Sequence, residues 1–384
     1  MADDPFSGLP FFGDFMKRMS DGGPVHWDTA RQIALFTATG GETESNPEPT
    51  SRLALVELSR LATMAIEQES GLVVPTAEPD AVNRAVWTAR SLDDWKPLFT
   101  ELATALGPTK TETPADDPFA AMFANLTGML APMTMGMAIG SMVGLLARRA
   151  LGQYDLPLPR PDGRAPMFVT ANIDGFADEW SLVRDDVRMW VLINELATHT
   201  LYSVPHVSAA VNDLVREHAG LFRPDPSSIG DKLAGLESAD PSDLMANFQS
   251  LFSDPEILLG AVRSPAQEAL QPRLDAVLAL VVGWVDHVAD RVGARILGNP
   301  QRLAEAARRR RIEAGDDTAF VEKLLGLRLN RDQVDRGRSF VRGVIERACD
   351  GGLAPLYASA AILPTPAELD AAGLWLARLD VTGA

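Results

Sequence analysis

Asp185-Asp186-Val187-Arg188-Met189-Trp190-Val191-Leu192-Ile193-Asn194-Glu195-Leu196-Ala197-Thr198-His199-Thr200 is the stretch on which the reading of this chain turns. It predicts a helix over about 184–201. Glu195 and His199 stand four residues apart and therefore share a helical face. Such a pair can bind a metal, and it can equally be a plain hydrogen bond between neighbouring turns. Before the helix, Met167-Phe168-Val169-Thr170-Ala171-Asn172-Ile173 reads as a strand. After it, a second helix is expected over about 205–221.

Working outward, helices dominate and little strand is expected. One helix starts near Trp27, with Asp28 and Thr29 as capping candidates. Others cover about 51–69, 81–106, 266–295, 301–313, 317–326, 330–350 and 366–378. Residues 39–50 read as a linker, and 107–118 and 222–243 as Pro/Gly-bearing loops. The expected organisation is an N-terminal extension, first helix and linker over 1–50, then a helical domain over 51–384. There is no repeat at a fixed period.

The 384 residues include 35 Lys+Arg and 52 Asp+Glu, a net charge of −17. That balance argues against a nucleic-acid binder, which needs a basic footprint. One cysteine, Cys349, excludes an intramolecular disulfide and any Cys-rich zinc site. The N-terminus is acidic and broken by Pro5, without the positive start and apolar run of a secretory signal, so a cytoplasmic protein is expected. The stretch 119–147 carries no charge and is long enough to span a membrane. Pro132 and Asn125 oppose that reading, and Gly136, Gly140 and Gly144 line one helical face that another backbone can approach closely. A buried helix is expected there, with no membrane partner.

Several segments carry a family resemblance: Leu151-Gly152-Gln153-Tyr154-Asp155-Leu156-Pro157-Leu158-Pro159, Gly283-Trp284-Val285-Asp286-His287-Val288-Ala289-Asp290, Leu324-Leu325-Gly326-Leu327 and Leu363-Pro364-Thr365-Pro366-Ala367-Glu368-Leu369. With Trp27-Asp28-Thr29-Ala30-Arg31 and the opening Asp4-Pro5-Phe6, they occur in the order seen in the zincin-like metallohydrolases of actinobacteria, which the chain resembles over nearly its whole length. The resemblance implies a mainly α, zincin-like fold with a small β element before the metal-binding helix. It also implies zinc chemistry. A His-Glu-x-x-His helix places two imidazoles on one face, the glutamate acts as general base on the metal-bound water, and a glutamate before the Gly-Trp segment completes the ligands.

On that correspondence the first histidine position holds Asn194, the base position Glu195, the second histidine position Thr198 and the third ligand position Val282. An amide and a neutral hydroxyl are poor zinc ligands, and valine coordinates nothing. Glu195 becomes a vestigial general base, and no cofactor is expected. His199, about 100° around the helix from position 198, is the possible alternative ligand. The functional expectation is a scaffold that has lost its metal chemistry and binds a peptide or protein in the former active-site cleft. The alternative is an active zinc-dependent metallopeptidase with ligands rearranged around Glu195 and His199.

Other features have plainer readings. Trp190 and Trp284 suit a core. Asp286, His287 and Asp290 suit a locally bonded polar cluster, and Arg308–Arg311 a solvated face pairing with Glu305 and Glu313. Cys349 lacks the surroundings of a nucleophile. Neither a Gly-x-x-x-x-Gly-Lys phosphate loop nor a Gly-x-Ser-x-Gly elbow occurs.

Overall fold

Thirteen residues, Trp27–Thr39, form the first helix (α1). Its alanines Ala30, Ala34 and Ala38 recur every four residues and are buried. The computed structural model describes residues 23–75, 78–107, 118–161, 163–224, 261–262, 264–312, 321–322, 324–327 and 330–382. Residues 1–22 of the expected N-terminal extension, residues 108–117 and 225–243 of the expected loops, and residues 317–320 and 323 of the helix expected over 317–326 lie outside the described residues. The α1 cap is His26, whose Nδ1 accepts from the Thr29 amide at 3.2 Å. Asp28 and Thr29, the expected caps, fall inside the helix. An imidazole nitrogen here does what a serine oxygen ordinarily does.

The small face of α1 lies along α4, Pro118–Arg149, the uncharged helix. The two run parallel: Gly136 meets His26, Gly140 meets Ala30 and Gly144 meets Ala34. A Cβ would come within 2.5 Å of the His26 carbonyl oxygen at Gly136 and within 2.6 Å of the Ala34 oxygen at Gly144. The Pro132 carbonyl accepts from the His26 amide at 2.8 Å. The glycines are therefore spent on helix packing within the chain, and among the described residues no helix is long and apolar enough to cross a membrane.

Between these helices lie α2 (Pro49–Ser70), β1 (Asp80–Val82) and α3 (Arg84–Leu106), the last capped by Asn83, whose Oδ1 accepts from the Val86 amide. The β element is small. β1 pairs in parallel with β2 (Met167–Val169), with Ala81 opposite Phe168. The strand expected over 167–173 stops at Val169, and Thr170–Glu179 is a helix (α5). Asn172 explains the switch: its amide reaches back to the Ala147 and Ala150 carbonyls at 2.9 and 2.7 Å, closing the end of α4. Ile173, Phe176 and Ala177 then bury a helical face.

Next come α6 (Arg184–Tyr202), α7 (Pro205–Gly220), a two-residue pairing of Arg223–Pro224 (β3) with Ala261–Val262 (β4), and α8 (Pro265–Ile296). Central α8 is started by a capping box between Ser264 and Gln267 and packs on α2, α6 and α7. The remaining α-helices described are α9 (Pro300–Ile312), α10 (Arg331–Ala348), α11 (Pro366–Asp370) and α12 (Ala372–Thr382). The single helix expected over 366–378 is thus two. Ala371 leaves helical geometry at φ −140°, and Trp375 anchors the second helix by donating to the Ile362 carbonyl at 2.6 Å. α8 crosses α10 where Gly283 meets Gly337, so closely that a Cβ on Gly283 would overlap the Gly337 backbone and one on Gly337 the Ala279 carbonyl. That contact fixes the residue before it, Val282.

Gly140→Ala should lower stability by about 1–3 kcal/mol in urea unfolding, because overpacking against the Ala30 backbone outweighs the gain in helix propensity of about 1 kcal/mol. A neutral or stabilised variant would mean that α1 stands further from α4 than described.

Candidate functional site

Helix α6 begins with Asp185 and Asp186 in its first turn, where the positive end of the helix dipole favours them. Its buried face, including Val187, Leu192, Leu196 and Ala197, enters the core. That orientation carries Asn194, Glu195 and Thr198 to the wall of a cavity of about 160 Å³. Val282 of α8 lines the same cavity, as do Tyr154 and Asp155 of the turn after α4, Arg149 at the end of α4 and Arg310 of α9. Residues 194, 195, 198 and 282, separated by up to 88 positions in sequence, are therefore brought together. His199 is not on that wall. Its Nδ1 lies 2.9 Å from the Tyr154 hydroxyl.

The polar side chains on the α6 wall are committed to neighbours. Asn194 donates its amide to the Trp190 carbonyl at 2.8 Å, and Thr198 donates its hydroxyl to the Asn194 carbonyl at 2.8 Å. Glu195 is only 6% exposed. Its Oε2 accepts from the backbone amides of Gln153 and Tyr154 at 2.7 and 2.8 Å. Gly152 makes room for it, since a Cβ there would collide with the carboxyl carbon. Burial, reinforced by the nearby Asp155 charge, pushes the Glu195 carboxyl up to about 8, against the opposing pull of the two amides and Arg160.

The turn that receives Glu195 is held at almost every polar group. Asp155 accepts from the amides of Leu151 and Gly152, the latter at 3.0 Å. Trp87 donates its indole N–H to the Gly152 carbonyl at 2.8 Å, and Arg160 donates to the Gln153 carbonyl at 3.1 Å. Arg160 is itself buried, stacked 4.2 Å over the Trp95 ring and paired with Asp94 at 3.2 Å. Burial lowers its guanidinium to about 10. The Leu-Gly-Gln-Tyr-Asp sequence carries a local signal for this turn, because an aspartate can bond to amides three and four residues earlier. Nothing local announces that Glu195, some 40 positions away, fills it.

Two wall residues, Arg149 and Arg310, are not among the site residues expected from the sequence. Arg309 pairs with Glu305 at 2.8 Å, as a solvated face would. Arg310 instead turns inward, correcting the expectation for that run. It pairs with Asp155 at 3.2 Å and donates to the Arg149 carbonyl, while Arg149 donates to the Arg310 carbonyl at 3.2 Å. Arginines one position apart on a helix point about 100° apart, so only one of the two faces the turn. Glu313 lies outside the described residues.

Trp284 is core and donates to the Tyr357 hydroxyl at 2.8 Å, whereas Trp190 is half-buried on the cavity wall. Asp286 and Asp290 both pair with Arg338, at 2.8 and 3.4 Å. Cys349 is exposed at the end of α10.

The donor set does not fit zinc. Among the described residues no group of three or more His, Cys, Asp or Glu is placed to hold a metal ion. At the three positions where the resemblance leads one to expect zinc ligands stand an amide, a hydroxyl and an aliphatic chain, the first two already bonded to their own helix.

The raised Glu195 pKa has a definite sign in stability. Its contribution is full below the unfolded value near 4.5 and is lost as pH rises through the folded value of about 8. Glu195→Gln keeps an acceptor for the two amides and removes the titration. Melting curves from pH 5 to 8 should therefore show the variant gaining on the parent by of order 1 kcal/mol per pH unit. A constant difference across that range would mean that Glu195 is ionised throughout.

The comparisons agree with this architecture. The family model for zincin-like metallopeptidases matches residues 25–376. A crystal structure from Chloroflexus aurantiacus, of a candidate hydrolase with a novel fold, superposes with a TM-score of 0.59 at 21% identity. The match covers 93% of this chain and 99% of that one, and at that identity it speaks for the fold alone. No functionally curated protein matches the sequence. A family match that runs from the cap of α1 into α12 takes in nearly the entire chain, and the chain belongs to the zincin-like metallopeptidase family.

Proposed function

We propose that this chain is a metal-free, catalytically silent member of its family that holds a peptide or protein segment in the cavity between α6 and α8. One observation carries the reading. The three positions matched to zinc ligands, Asn194, Thr198 and Val282, line one cavity, and none offers a ligand of the kind zinc takes. Glu195, at the position of the general base, is spent on two backbone amides. The cavity is framed by helix packing and by the turn after α4, so its shape does not depend on a metal. A peptidase with rearranged ligands would need His199 at the same cavity as Glu195, and the bond from His199 to Tyr154 speaks against that. The net charge of −17 disfavours nucleic acid as the partner, and a cytoplasmic setting suits a chain with a single cysteine.

The test is metal content. Purified protein incubated with zinc and desalted should retain far less than one zinc per chain. The combined variant Asn194→His, Thr198→His, Val282→Glu should retain close to one, and each single substitution should do little, since a zinc site needs three protein ligands. Stoichiometric zinc in the parent, with chelator-sensitive peptide hydrolysis, would overturn the reading. A folded triple variant that still binds no zinc would overturn the residue correspondence.

A further inference from the structure

We infer that the cavity recognises an α-carboxylate, that of a peptide's carboxyl-terminal residue or of a free amino acid with an apolar side chain, and that Arg149 is its anchor. This rests on the reading of the cavity as a binding site.

Arg149 lines the cavity and forms no ion pair among the described residues. Its hydrogen bond goes to the Arg310 carbonyl. Every carboxylate on the wall is already engaged. Asp155 is held by Arg310 and two amides, Asp286 by Arg338, Glu195 by the Gln153 and Tyr154 amides, and Glu322 has a partner of its own. Burial, then the Arg310 charge, weaken the proton affinity of the Arg149 guanidinium by more than the charges of Asp155, Glu322 and Glu179 restore. An anion delivered by a ligand removes that penalty, and a guanidinium fork suits the two oxygens of a carboxylate.

Two further features narrow the ligand. Thr198 has spent its hydroxyl proton and Asn194 one of its two amide protons on α6, and both keep an accepting oxygen that suits a ligand N–H. Leu146, Val281, Val282 and Val285 supply an apolar wall. At about 160 Å³ the space is smaller than the roughly 300–1,000 Å³ of ordinary small-molecule pockets and suits one residue. An anionic oxygen, an N–H and an apolar side chain are what an α-amino-acid carboxyl terminus presents.

Calorimetric titration of the full chain with N-acetyl-alanyl-leucine, its C-terminal amide and free leucine tests this. The acid should bind about tenfold more tightly than the amide, because a charge-assisted hydrogen bond is lost. Arg149→Met should bring the acid down to the level of the amide and leave the amide unchanged. Arg149→Lys, which keeps the charge, should fall between and serves if the methionine variant fails to fold. Binding of leucine as tight as that of the peptide acid would make a free amino acid the source, and weaker binding a peptide terminus; either supports the anchor. Equal affinity for acid and amide overturns the anchor while leaving peptide binding in place. Binding of none of the three probes also overturns it, and the zinc measurement decides the metal-free reading on its own.

Discussion

A buried carboxyl oxygen accepting two backbone amides is the contact on which the candidate site depends. Glu195 reaches from α6 into the turn after α4, and that turn is also where Trp87, Arg160 and Asp155 converge. Burying a carboxyl is costly unless its oxygens are satisfied, and backbone amides aimed at it are a good remedy. The arrangement in turn dictates its surroundings. Gly152 must lack a side chain, and Tyr154 is delivered to His199. The main helix of the site and the segment facing it are thus tied by a side chain to backbone amides.

That lock separates scaffold from chemistry. In a metal enzyme of this architecture the ion itself can tie helices together, so loss of its ligands threatens the fold as well as the reaction. Here α6 is tied to the turn through Glu195, and α8 is pinned to α10 by the Gly283–Gly337 contact. Asn194 and Thr198 bond back to their own helix, the ordinary behaviour of amides and hydroxyls on a helical surface. On the proposed reading, substitutions at Asn194, Thr198 and Val282 leave this framework in place.

Much of this was legible in the residues. The helix bearing Asn194, Glu195 and Thr198 was readable over about 184–201 because apolar residues recur with helical spacing, and it spans Arg184–Tyr202. The glycines at 136, 140 and 144 announced a close helix neighbour, though only packing could name α1. What stayed hidden was decided at long range. Residues 170–173 look like a continuing strand until Asn172 finds the carbonyls at the end of α4. His26 caps a helix that two better-known capping residues seemed to claim. Arg310 reads as one of four surface arginines until Asp155, over 150 positions away, draws it in. Pairings across such distances have no local period to betray them.

The parallel contact of α1 with α4 has a consequence for synthesis. Its two sides are separated by about a hundred residues, so at ribosomal speeds of roughly 5–20 residues per second the first helix emerges some 5–20 s before its partner can be completed. Through that interval the row Ala30, Ala34 and Ala38 has no glycine groove to enter. A face of small side chains is a mild hazard compared with one of leucines, because it offers little apolar area for premature association. A surface narrow enough for backbone contact in the finished protein is also quiet enough to wait on the nascent chain.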